Sequence, residues 1–139
     1  MLNTLMIERA TSDDTAGQYT VLETWGTAAG DPPPHVHDHE DEAFFVLEGT
    51  VEVTVGGVTT SLSPGGFAFG PRGVPHTYAT TSPVSRMLVI NSPGGAERFF
   101  RAVGAPAQAP ELPQPQAPDV GKVVSIAAAH GITILPPPA

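Results

Sequence analysis

The chain has 139 residues, with 14 acidic and 6 basic side chains, a net charge of −8 and no cysteine. This is the length of one domain, and it excludes disulfides, thiolate metal sites and a cysteine nucleophile. Only Arg72 and Arg86 lie between positions 10 and 97, so no cationic cluster is present to replace the counterions of nucleic acid or of an anionic membrane.

The first residues, MLNTLMIERA, have neither a basic start nor a long apolar run, and no apolar stretch of 18 residues occurs. Neither a signal peptide nor a membrane span is expected, and a cytoplasmic protein is. Gln18 to Thr27 carries Tyr19, Val21, Leu22 and Trp25 and reads as a strand. Ala43 to Leu47 is a short apolar strand. Thr50 to Val55 alternates, with Val51, Val53 and Val55 on one face. Gly56-Gly57 before VTTSL predicts a tight hairpin, since both glycines tolerate positive φ. Turns at Pro64-Gly65-Gly66 and Pro71-Arg72-Gly73 bracket the short strand FAF, and His76–Thr81 and Arg86–Asn91 complete the set. Many short strands between Gly/Pro turns predict an all-β sandwich or barrel over residues 1–92.

Residues 93–139 differ. GGAERFFRAVG predicts a short helix stopped by Gly104. Residues 105–118 hold five prolines and should run extended as a strap. Asp119 should cap a second helix, VGKVVSIAAAH, with Val120, Val123, Val124, Ala127 and Ala128 on its buried face and Gly131 as its stop. The terminal ITILPPPA is apolar enough to dock. The whole extension is expected to pack on the same domain. His130 is read as a helix C-terminal cap, Arg98 and Arg101 as surface residues of the first helix, and Arg72 as part of a surface turn.

The chemistry gathers in PPPHVHDHEDE, residues 32–42, which holds three of the five histidines at alternate positions. In an extended strand alternate residues share a face, so His35, His37 and His39 would point the same way. Two imidazoles at i and i+2 can converge on one ion. Glu42 opens the apolar run AFFVL and is a candidate carboxylate, with Asp38, Glu40 and Asp41 in the adjoining turn. His76 can supply a further imidazole from the start of its strand. Three imidazoles and one carboxylate suit one divalent iron, manganese, nickel, cobalt or zinc ion per chain, and not calcium.

These residues resemble the cupin superfamily. The stretch GDPPPHVHDHEDEAFFVLEG resembles its first motif through Gly30, His35, His37, Glu42 and Gly49. The stretch GGFAFGPRGVPHTYAT resembles its second through Gly65, Pro71, Gly73 and His76, with Thr80 where the family's closing asparagine stands. The gap from Gly30 to His35 is four residues where the family usually has five. The resemblance implies a small double-stranded β-helix, or jelly-roll, barrel, often a homodimer. It carries the metal-ligand roles to His35, His37, Glu42 and His76 and leaves His39 in the turn.

The PPPHxH…DExFxVLEG style and the tail look like single-domain bacterial cupins related to quercetin 2,3-dioxygenases. That resemblance implies a flavonol or similar phenolic bound at the metal, Glu42 as acceptor of its hydroxyl proton, dioxygen as co-substrate, and ring cleavage with loss of carbon monoxide. A flat aromatic substrate needs apolar walls, for which Phe44, Tyr78 and Trp25 are candidates, with Phe67 or Phe69 as further ones. The competing readings are a polyketide-cyclase-like or other cupin enzyme on aromatic substrates, a non-catalytic small-molecule binder, and a sugar-isomerase-like protein. The last is disfavoured by core strands rich in Val, Phe, Leu and Ala.

Overall fold

The computed structural model describes residues 3–114 and 116–136. Pro115 of the strap and residues 137–139 of the terminal segment lie outside the described residues. Ten strands and two helices follow in order: β1 (Thr4–Ala10), β2 (Thr20–Gly26), β3 (His35–His37), β4 (Asp41–Glu48), β5 (Val51–Val55), β6 (Val58–Leu62), β7 (Phe67–Gly70), β8 (His76–Thr80), β9 (Ser85–Ser92), α1 (Ala96–Val103), α2 (Val120–Ala129) and β10 (Ile132–Ile134). Two five-stranded antiparallel sheets result, one ordered β1-β2-β9-β4-β7 and the other β10-β3-β8-β5-β6. This is the two-sheet architecture expected of a double-stranded β-helix. Among the described residues no helix is long and apolar enough to cross a membrane.

Alternation decides the interior. On β4 the even positions Glu42, Phe44 and Val46 are buried, and on β9 the odd positions Met87, Val89 and Asn91 are. Phe44, Val46, Val51, Val53, Met87 and Val89 meet between the sheets as the main core. Each large apolar side chain so buried contributes roughly 1.5–3 kcal/mol. The β5–β6 hairpin turns at Gly56 and Gly57, which both take positive φ (56° and 84°) as the sequence requires.

The extension departs from expectation in three ways. First, Gly104 ends α1 in extended backbone, φ −98°, and not in the left-handed region. Second, Asp119 caps α2 through the Lys122 N–H at 3.1 Å as expected, but the buried face is rotated. Val120 and Val124 are 64% and 40% exposed, while Ala127 packs with Val123 and Ile126 against Phe99 and Ile132. The small Ala127 allows close approach, and the turn at Gly131 into β10 sets which side of the helix faces in. Third, the segment expected only to dock forms a strand, β10, because β3 offers it an unpaired edge.

α1 is fixed to the barrel by a buried carboxylate. Glu97, at 2% exposure, accepts hydrogen bonds from the Ser12 N–H at 2.8 Å and the Ser12 hydroxyl through Oε1, and from the Thr20 hydroxyl through Oε2 at 2.7 Å. Burial pushes its pKa up, but those donors outweigh it and hold the group down at about 2. The folded-state value lies below the ordinary 4.5, so the clasp stabilises the fold above that pH and fades as pH falls towards 2. Glu97→Ala should cost about 3 kcal/mol at pH 7, because it leaves buried donors without an acceptor. Urea unfolding should show the gap to wild type narrowing at pH 3, whereas an undiminished gap would count against the carboxylate as its cause.

Candidate metal centre

The prolines at 32–34 lead an extended chain into β3, and His35 and His37 alternate with Val36 so that both imidazoles face the interior. His76 begins β8 directly opposite His35. Glu42 comes from β4, in the other sheet. The four ligand atoms lie within 4.8 Å of one another. From Glu42 Oε2 the distances are 2.6 Å to His76 Nε2, 3.2 Å to His37 Nε2 and 3.7 Å to His35 Nε2. Ligands each about 2.1 Å from one ion stand roughly 3.0–3.4 Å apart, so the observed separations bracket the spacing an ion requires.

The outer ring nitrogens support the same reading. His35 Nδ1 faces the Pro33 carbonyl at 2.9 Å, His76 Nδ1 the Val74 carbonyl at 3.0 Å, and His37 Nδ1 the Glu40 carboxylate at 3.0 Å. Carbonyls and carboxylates only accept, so each Nδ1 carries the proton and donates it. That turns each Nε2 inward, where its lone pair becomes a metal donor once any Nε2 proton shared with Glu42 is displaced, the orientation protein metal sites give histidine. The donor set, its spacing and its outer hydrogen bonds fit a divalent transition metal.

The electrostatics are those of a buried charge held by its neighbours. Burial raises the Glu42 pKa, but hydrogen bonds from His35, His37 and His76 and the charge of His37 override it and keep the carboxyl well below the usual range. Burial lowers that of His37, yet the carboxylates of Glu40 and Glu42 push it up to about 9.

Above this floor lies a cavity of about 60 Å³. Phe44 and Tyr78 line it, their rings 5.8 Å apart. Burial, together with the charges of Asp31 and Glu42, pushes the Tyr78 phenol up, so it stays protonated. Leu22, Thr24 and Val89 extend the barrel wall, and Phe99, Phe100, Ile132 and Ile134 from the tail complete it. These tail residues were missed by sequence reasoning. The alternation of Ile132 and Ile134 around Thr133 was the available signal for a buried strand face.

Three expected wall residues lie elsewhere. Trp25 is an odd position on β2, whose even positions point inward. Its Nε1 donates to Glu23 Oε2 at 2.8 Å, and the Arg86 guanidinium sits 4.9 Å from its ring centroid. Phe67 and Phe69 are 57% and 50% exposed, because Ala68 and Gly70 take the inward places on β7. His39 lies outside the ligand group, exposed after the end of β3 and against Gly131. Arg72 remains in its turn and pairs with Asp41 at 3.1 Å, and His130 Nδ1 bonds the Ile126 carbonyl at 2.9 Å as a helix cap does.

The Cupin domain family matches residues 21–91. Quercetin 2,3-dioxygenase of Bacillus subtilis is 29% identical over 129 residues, which are 92% of this chain and 38% of that protein. Two further curated relatives are spanned to about half of their length, 50% and 54%. Among solved structures, KdgF from Halomonas sp. superposes with a TM-score of 0.62 at 21% identity, covering 69% of this chain and 84% of that one. The polyketide cyclase RemF from Streptomyces resistomycificus gives 0.56 at 29% identity, covering 65% of each chain.

His76→Ala should weaken divalent-metal affinity by roughly 100-fold or more, read by titration with Co²⁺. Because an ion must displace the His37 proton, held with a pKa of about 9, wild-type affinity should rise roughly tenfold per unit from pH 6 to 8. A flat profile would mean that His37 is not a ligand.

Proposed function

The chain belongs to the cupin family, and from that premise we propose that it is a metal-dependent dioxygenase acting on a flavonol or a similar phenolic. The observation that carries the reading is the convergence of three imidazoles and one carboxylate at the floor of a cavity with mainly apolar walls. The 29% identity with the Bacillus quercetin 2,3-dioxygenase supports this class of substrate.

A divalent ion held there supplies Lewis acidity to a substrate hydroxyl oxygen. The rest falls to the chain's own residues. Glu42 stays ionised at neutral pH and accepts the hydroxyl proton. Its depressed pKa suits an already acidic phenol better than an aliphatic alcohol. Phe44 offers an aromatic edge to the ring, and the Tyr78 hydroxyl stays a donor. Dioxygen is the oxidant. At 60 Å³ the cavity is small against the roughly 300–1,000 Å³ of sites for larger organic ligands. A three-ring substrate therefore enters with the tail wall displaced.

The likeness to RemF favours a second reading, a cyclase acting on an aromatic polyketide. Oxygen uptake separates the two, since ring closure by loss of water consumes none. With quercetin as probe and Fe²⁺, Mn²⁺, Ni²⁺ or Co²⁺ loaded in turn, the wild type should take up oxygen. Glu42→Gln, compared with wild type at saturating metal, should lose on the order of 100-fold or more in turnover. No uptake with any flavonol at any loading would end the dioxygenase reading. Removing the ring of Phe100, by Phe100→Ala, should lower the KM for quercetin more than that for a single-ring catechol. Equal shifts would argue against the tail as a size filter.

A further inference from the structure

One side chain on the inward face of β9 is not explained by packing. Asn91 is fully buried, at 0% exposure, and neither Nδ2 nor Oδ1 has a hydrogen-bond partner among the described residues. Each buried polar group left so costs about 1–3 kcal/mol. An apolar residue of the same shape would escape that cost, so the position calls for a reason beyond packing.

The register shows which groups Asn91 meets. It stands directly opposite Glu42 on β4 and Thr20 on β2. Side chains so paired share a face, with Cβ atoms about 4.5–5.5 Å apart. The Thr20 hydroxyl is committed, donating to Glu97 at 2.7 Å and accepting the Gly95 N–H at 2.9 Å. Glu42 is not. The imidazole contacts all run to Oε2, which leaves Oε1 as an acceptor they do not use. On the other flank of Glu42, β7 presents Gly70, which has no side chain. Asn91 is therefore the only donor side chain that the two flanking strands place level with Glu42.

We infer that Asn91 is a positioning residue for the metal centre: its amide, unpaired among the described residues, donates an N–H to Glu42 Oε1 when the site holds an ion, and so keeps the carboxylate with Oε2 turned towards the three imidazoles. The inference rests on the metal site and not on the dioxygen chemistry. Hydrogen bonds to a ligand from such a neighbour are typically worth about 10–100-fold in metal affinity.

The test uses the full chain, Co²⁺ as probe, and two variants. Asn91→Leu is nearly isosteric, and Asn91→Val is smaller should leucine overpack. Both should bind Co²⁺ about 10–100-fold more weakly, with an altered d–d absorption band. Their metal-free Tm should equal or exceed that of wild type, because two unpaired polar atoms are gone. A residue that merely supports the fold would lower affinity and metal-free Tm together, and that result in both variants overturns the inference. So does affinity within about twofold of wild type. A wild type that binds no Co²⁺ overturns the metal site and the inference together. A wild type that binds, with variants that bind equally well, overturns the inference alone.

Discussion

A carboxylate taken out of water must be compensated, and Glu42 organises the molecule around that requirement. It is 5% exposed, and a buried ion without partners would cost several kcal/mol. Its compensation comes from across the barrel: Glu42 belongs to one sheet and the three imidazoles to the other. The sheets must therefore close on each other before the charge is satisfied, and closure without the imidazoles would leave it stranded. Site assembly and barrel formation depend on the same contact.

The imidazoles are themselves held by backbone. The carbonyls of Pro33 and Val74 accept from His35 and His76, in segments whose prolines restrict the chain to extended and turn conformations. Only three residues make up β3, too few to hold register alone, yet it is paired on both sides, by β8 at His35 and by β10 along its length. The C-terminal extension thus does more than cover the barrel. Through β10 it secures the strand carrying two ligands, and through Phe99, Phe100, Ile132 and Ile134 it walls the cavity above them. The Glu97 clasp, which binds α1 to Ser12 and Thr20, fixes one side of that wall.

Much of the barrel was readable from local pattern. Period-two alternation marked β5, and the glycine pair marked the β5–β6 hairpin, since those signals lie within a few residues of the structure they determine. The ligand residues stood out for the same reason: two histidines at i and i+2 share a face wherever the strand goes. Elements that depend on a distant partner were less readable. Helix α2 has apolar residues on more than one side, and only the position of Phe99 and Ile132 selects the face holding Ala127. The aromatic residues were least readable. Trp25, Phe67 and Phe69 suit a cleft by type, but strand parity turns them to the outside.

By itself, then, the sequence determined the all-β class, the turns between the strands, and the residues able to bind a metal, because each follows from backbone geometry over a short span. The tertiary structure alone decided that Glu42 and His76 meet across two sheets, that the tail builds the cavity wall, and that Asn91 stands opposite Glu42 with its amide unpaired. Those facts depend on the register between strands distant in the chain, and register is set when the whole interior packs at once.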